Sequence, residues 1–230
     1  MAATKKAKRE YSPEQTRERL LLSGLKLFGR YGYKGVTTRA LAEDAKVNQA
    51  SIPYHFGGKE GLYRAVAEMV ADDMTVVKSV FYRHAPLIFR KIGGRKALLR
   101  KVVQKSVRRI VRRFLGFRDN AADRPAFIVR EYMEPGAGFD ILYDRVIKNV
   151  HMALTAMVAA AFGLSEESDE AKLRAHALMG QVIAFGVARP VVLRRMGWES
   201  YTEENVDAIA GAVVEMVLGA LGLKEREGNR

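Results

Sequence analysis

Residues 28–66 read FGRYGYKGVTTRALAEDAKVNQASIPYHFGGKEGLYRAV, and the way this stretch divides decides the fold. Thr37 or Thr38 offers a hydroxyl cap to a short helix that turns Leu41 and Ala45 inward, and Lys46-Val47-Asn48 makes a tight turn. Asn48 is placed to cap again, Ile52 and Phe56 mark the buried side of a third short helix, and Gly57-Gly58 ends it. From Lys59 a longer helix carries Leu62, Val66, Met69 and Val70 on one face. Two short helices joined by a tight turn are the geometry that lays one helix into a DNA major groove, although plain helical bundles contain such pairs too.

Upstream, Ser12-Pro13-Glu14-Gln15 combines an N-cap serine, a proline at the first helical position and a glutamine placed to close a capping box. Leu21, Leu22, Leu25 and Phe28 follow at helical spacing, and Gly32 with Gly35 supplies the stop. Downstream, the apolar spacing predicts helices over residues 72–90, 94–117, 122–134, 138–163, 167–193 and 202–222. With no alternating strand pattern and no internal repeat, the expected fold class is all-α. The expected organisation is a basic tail over 1–11, a three-helix helix-turn-helix unit over 12–58 and a helical domain over 59–224.

The 230 residues are 48% hydrophobic, enough to bury a core without covalent staples. The absence of cysteine excludes a disulfide framework, thiolate-bound zinc, an iron-sulfur cluster and a thiol nucleophile. MAATKKAKRE at the start is basic without an apolar stretch, so no secretory signal is expected. The longest uncharged apolar run, Met152 to Leu164, falls short of the roughly 20 residues that a spanning helix needs. A cytoplasmic protein with no membrane span is the expectation.

Lys and Arg number 39 against 26 Asp and Glu, a formal charge of +13. Its distribution is uneven: +6 over residues 1–60, +11 over 61–124 and −4 over 125–230. Between Arg90 and Arg113 stand eleven cations and no acid, interleaved with Leu98, Leu99, Val102, Val103, Val107, Ile110, Val111, Phe114 and Leu115. That pattern suits a solvated bundle face, and also a membrane-surface or non-specific polyanion-binding helix. Lys5, Lys6, Lys8 and Arg9 suit either a minor-groove arm or a solubilising terminus.

From Thr16 to Val66 the chain closely resembles the N-terminal domain of the TetR/AcrR family of bacterial transcriptional regulators. Phe28, Gly32, Thr37-Thr38, Leu41-Ala42, Ala45, Val47, Tyr54, His55-Phe56, Lys59-Glu60 and Leu62 fall in register. The resemblance implies a homodimeric, sequence-specific regulator, a repressor released from a palindromic double-stranded DNA operator by a small-molecule effector. Thr37, Thr38 and Arg39 at the start of the second helix suit phosphate contacts. Gln49, able to pair bidentately with adenine, and Ser51 are the base-reading candidates. Tyr54, His55 and Lys59 match positions that touch sugar-phosphate in the family. Pro53 departs from the family's usual Tyr or Asn. As the fifth residue after an Asn48 cap, it is expected to distort the helix, at a cost of up to about 3 kcal/mol in a helix interior and less near the first turn.

The stretches FIVREYMEPGAGF, residues 127–139, and HALMGQVIAFGVARPVVLRRMGW, residues 176–198, look more specifically like the CecR-like subgroup. An effector pocket is implied, with Phe127, Arg130, Met133, Phe139, Tyr143, His176 and Met179 as its candidates and an Arg130–Glu131 ion pair as the alternative role for Arg130. For the dimer, the last two long helices offer Ala171, Ala175, Leu178, Val182 and Phe185 on one and Val206, Ile209, Ala210, Val213, Val217 and Leu221 on the other. Gly180, Gly186, Gly211 and Gly219 allow close approach, so a four-helix interface is expected. His55, His84, His151 and His176 lack metal-ligand spacing, and no P-loop or dinucleotide glycine pattern occurs. No catalysis, metal or cofactor is therefore expected.

Overall fold

The computed structural model describes residues 11–75, 80–92, 94–116 and 123–224, and among them every regular element is helical. Lys5, Lys6, Lys8 and Arg9 lie outside the described residues. Helix α1, Pro13–Tyr31, starts on the expected capping box: the Ser12 hydroxyl accepts the Gln15 N–H, and the Gln15 side chain accepts the Ser12 N–H at 3.1 Å. Helices α2 (Thr38–Ala45), α3 (Ser51–Phe56) and α4 (Lys59–Thr75) follow. Leu20, Leu25, Phe28, Leu41, Ile52, Leu62 and Val66 bury one another at the centre of these four helices. Arg19 and Ser23 of α1 reach α2, donating to the carbonyls of Ala45 and Leu41 at 2.7 and 3.1 Å.

The remainder comprises α5 (Val80–Ile92), α6 (Lys96–Leu115), α7 (Asp123–Met133), α8 (Phe139–Leu142), a π-helical turn (Tyr143–Ile147), α9 (Lys148–Phe162), α10 (Asp169–Val187), α11 (Arg189–Met196) and α12 (Glu203–Ala220). In this body α6 lies along α12, α5 along α9 and α9 along α10, while α7 packs on α1. The helix expected over 138–163 contains the π turn, in which the Lys148 N–H reaches back five residues to the Tyr143 carbonyl. The helix expected over 167–193 breaks at Ala188 and bends by 70°. Pro190 is the cause, because it has no N–H to offer the preceding turn and suits only the start of a new helix.

Two expectations about surfaces change. The apolar side of α6, with Leu99, Val103, Val107, Ile110, Val111 and Phe114, is buried in the body. The face that a membrane-surface helix would insert is therefore already used by the core. Arg112 pairs with Glu203 and Asp207 of α12 at 2.7 and 2.9 Å, and Arg90 with Glu166 at 3.2 Å, while Lys101, Lys105, Arg108 and Arg109 stay exposed. Among the described residues no single helix is long and apolar enough to cross a membrane. The stripes assigned to dimer contact on α10 and α12 also face inward: Ala171, Ala175, Leu178, Val182, Val206, Ile209, Ala210, Val213, Val217 and Leu221 are buried within the protomer, and Phe185 is half-buried. Periodicity finds the most apolar face of a helix, and here that face serves the chain's own core.

Close approach of α1 to α7 rests on Gly29, where an added Cβ would stand 3.2 Å from both the Asp123 carbonyl oxygen and the Phe127 nitrogen. Backbone cannot swing aside as a side chain can. Gly29→Val should lower stability by about 1–3 kcal/mol, read as a lower urea midpoint with unchanged slope.

Candidate nucleic-acid interface

The turn between α2 and α3 is built differently from the sequence expectation. Lys46 adopts the left-handed conformation, φ 57° and ψ 41°, closing α2 through N–H contacts to the Ala42 and Glu43 carbonyls. The Asn48 side chain accepts the Ala50 N–H at 3.0 Å, a local turn, and α3 starts only at Ser51. Gln49 thus sits in the turn and not on α3. Pro53 is the third residue of the helix, and the Gln49 carbonyl that its ring would have met accepts the Ile52 N–H at 3.1 Å instead. A proline within the first turn withdraws no obligatory donor, so the expected interior cost does not arise.

Thr37 spends its hydroxyl as the α2 cap, accepting the Ala40 N–H at 3.1 Å. Thr38 accepts a hydrogen bond from the Gln49 side-chain amide at 2.9 Å, joining the candidate phosphate contact to the candidate base reader. Arg39 is exposed and pairs with Glu43 at 2.8 Å, an exposed ion pair that water and salt weaken. Ile52 is buried, Ser51 is half-buried, and Tyr54 is 80% exposed with its ring edge-on to His55 at 4.8 Å. Lys59, at the first position of α4, holds its ammonium 4.2 Å from the centre of the Tyr33 ring. Sequence reasoning missed Tyr33, because nothing local links an aromatic at that position to a lysine 26 residues on. All eight candidates lie on the α2–turn–α3–α4 segment, and Thr37 and Lys59 carry local structural duties as well.

A few residues along α4 from Lys59, Tyr63 is buried and donates its hydroxyl to Glu131 of α7, which is 0% exposed. The second oxygen of Glu131 accepts the Gly136 N–H at 3.1 Å. The Tyr63 ring packs between Phe28, Tyr33 and Phe127, with centroids at 4.8, 5.2 and 5.2 Å. Burial first and the Glu131 contact second raise the Tyr63 phenol well above its usual range. Beside this joint, Arg130 donates to the Gly29 and Arg30 carbonyls at the end of α1, both at 3.4 Å, and pairs with Glu134 at 3.7 Å. Arg130 therefore serves α1, and Glu131 is taken by Tyr63 and Gly136.

The seven effector candidates separate. Phe127 and Met179 are core, Arg130 braces α1, and Met133 is 73% exposed beside a groove that it shares with Arg130. Phe139, Tyr143 and His176 do meet, in a cleft of about 620 Å³ whose wall includes Pro135 of the loop that carries Gly136. The candidates lay close in sequence or in apolar rank, and neither property reveals which side of a helix a cleft occupies.

Residues 20–66 match the family described as bacterial regulatory proteins, tetR family, and residues 99–221 match that described as the HTH-type transcriptional dual regulator CecR, C-terminal domain. The HTH-type transcriptional dual regulator CecR of Shigella flexneri is 31% identical over 211 residues, 90% of this chain and 93% of that protein. The HTH-type transcriptional regulatory protein RaaS of Mycobacterium tuberculosis is 41% identical over 61 residues, 26% of this chain and 28% of its own. In fold, the chain resembles the solved structure of HlyIIR, a hemolysin II transcriptional regulator, with TM-score 0.51 at 19% identity over 87% of this chain and 98% of that one. A transcriptional regulator from Rhodococcus gives TM-score 0.51 at 18% identity, covering 91% and 97%.

The joint has a pH signature. Tyr63 holds its proton more tightly folded than unfolded, so its contribution is complete below the ordinary phenol value of 10.0 and is lost as pH rises above it. Tyr63→Phe should cost about 1–3 kcal/mol near neutrality, because Glu131 loses one of its two donors. The variant should also lose less further stability than wild type between pH 9 and pH 11, read by urea unfolding at ~pH 9 and ~pH 11.

Proposed function

The chain belongs to the TetR family of bacterial regulatory proteins, with a C-terminal domain of the CecR type, and on that premise we propose how this DNA-binding transcriptional regulator works. A reader over residues 12–58 joins a helical body over 59–224, two copies bind a palindromic operator in the cytoplasm, and a small molecule held by the body releases them. The observation that carries this reading is the Thr38–Gln49–Ser51–Tyr54 surface, with Gln49 and Tyr54 exposed, on a reader followed directly by α4, which Tyr63 hydrogen-bonds to α7 of the body.

In this reading Thr38 orients the Gln49 amide. One N–H goes to the threonine hydroxyl, which leaves the other N–H and the carbonyl oxygen for the N7 and N6 edge of adenine. Ser51 and Tyr54 follow along the groove face. Lys59 is presented toward a phosphate from the N-terminal end of α4, where helix N–H groups also favour an anion. Tyr54 and His55, beside it, suit the sugar-phosphate backbone. Thr37 and Arg39 lie at the edge of the same surface.

The dimer face proposed is the side of α10 and α12 that the protomer leaves uncovered. Leu173, Ala177, Gly180, Ala184 and Val187 recur at four- and three-residue steps, and Leu173 is 70% exposed. A Cβ at Gly180 or at Gly211 would meet nothing within 4 Å, so the protomer gives no packing reason for glycine inside these helices. Glycine there costs about 1 kcal/mol relative to alanine, and close approach of a second copy supplies the reason.

Repression follows where the operator overlaps a promoter. The relative from Shigella flexneri is named a dual regulator, and in the proposed reading the sign of control follows the position of the operator relative to the promoter.

With DNA selected by the purified chain, Gln49→Ala should narrow the gap between cognate and altered sites by about 1–3 kcal/mol. Lys59→Gln should instead weaken all sites alike and reduce the salt slope by about 1. Equal behaviour of the two variants would contradict the division of roles. Ala177→Arg should convert dimer to monomer in sedimentation while leaving the helical content unchanged.

A further inference from the structure

The cleft of about 620 Å³ in the body lies between the loop after α7, the π-helical turn, α9 and the start of α10. Its size suits a small organic ligand. Two pairs of nearly parallel rings line it. Phe139 and Tyr143 have centroids 5.8 Å apart at 23°, and His151 and His176 have centroids 5.3 Å apart at 22°. Met152, about half exposed, adds an adaptable apolar surface to the lining. Flat walls of this kind favour a flat guest, because ring faces gain most from another ring set against them.

The charges around the cleft are unequal in availability. Glu166 is held by Arg90 at 3.2 Å and Glu167 by Lys172 at 3.3 Å, so each acid has its cation. Among the described residues Lys148 has no carboxylate within ion-pair distance, and it is exposed at the cleft. The π turn puts the Lys148 N–H on the Tyr143 carbonyl, and the residue that follows the turn lines the same cleft as the stacked pair. Insertions of this type often mark functional sites. Burial, then the neighbouring His176, hold His151 below the usual imidazole range, so near neutral pH that ring offers a face and not a second cation. The Tyr132 hydroxyl, pushed up to about 12 by burial, remains a donor, and among the described residues it has no hydrogen-bond partner.

We infer that this cleft receives a planar aromatic compound bearing one negative charge, its ring between the Phe139–Tyr143 and His151–His176 pairs, its anionic group on Lys148 and an acceptor atom on the Tyr132 hydroxyl. The inference rests on the reading of the body as the effector-binding part and names the class of effector. Pro135 gives the guest a path to the reader, since the Gly136 N–H beside it holds Glu131 and Glu131 holds Tyr63.

Calorimetric titration of the full chain with 2-naphthoate, 2-naphthamide and 2-naphthylmethylamine tests the assignment without DNA. The carboxylate should bind once per protomer and about tenfold more tightly than the amide, with the amine weakest. Lys148→Gln should bring the carboxylate down to the amide's affinity and leave the amide unchanged. Tyr132→Phe should weaken both, and Lys101→Gln, far from the cleft in sequence and exposed, should alter neither. Equal affinity for the three probes, or no response to Lys148→Gln, would overturn the ligand class. A chain that binds naphthoate in this pattern yet keeps its hold on selected DNA would overturn the release reading and leave the ligand class standing.

Discussion

A buried hydrogen bond ties the helix that leaves the reader to the body, within the wider packing of α7 on α1. Tyr63 belongs to the helix that begins at the reader, Glu131 belongs to the body, and neither polar group has water to fall back on. A buried carboxyl group that loses a donor carries the full cost of its desolvation, so the two helices hold one register or break it outright. Around that bond the packing allows little slack. Phe28, Tyr33 and Phe127 enclose the Tyr63 ring, and Arg130 grips the end of α1 from the same helix that carries Glu131.

In the proposed reading this joint links the DNA-facing surface to the effector cleft. Lys59 is four residues from Tyr63 on one helix, and Gly136 is five residues from Glu131 on the other side of the joint. In that reading an effector that prefers one arrangement of the Pro135–Gly138 loop would prefer one placement of α4, and by linkage DNA binding would bias the cleft by the same free energy. No long-range motion need be invoked beyond the choice between making and breaking this joint.

How much of this was legible beforehand follows from the range of the interactions. The capping box at Ser12, the inward Leu41 and Ile52 and the glycine stops are local, and they read correctly from neighbouring residues. The start of α3 did not, because Asn48 uses its side chain to make a turn when it was expected to cap a helix. Pro53 then became harmless for a reason two residues away. The apolar stripes of α10 and α12 expected at a dimer interface are buried within the protomer, because apolar periodicity reports the most hydrophobic side of a helix and here the chain's own core takes it. The Tyr33–Lys59 and Tyr63–Glu131 contacts join residues 26 and 68 apart, and no spacing rule reaches that far. The charge of +13 was likewise a weaker guide than it looked. Its largest block lies along α6 on the body, and some of it is balanced by acids of α12.

If the Tyr63–Glu131 bond supports the hold on DNA, affinity depends on it, and a double-mutant cycle reads that dependence. Binding of selected operator DNA is compared for wild type, Tyr63→Phe, Glu131→Gln and the double variant at one salt concentration. Both single variants should shift the affinity, and the double should shift it by much less than the sum, a coupling of about 1 kcal/mol or more. Additive effects, or affinities that do not move while stability falls, would contradict it.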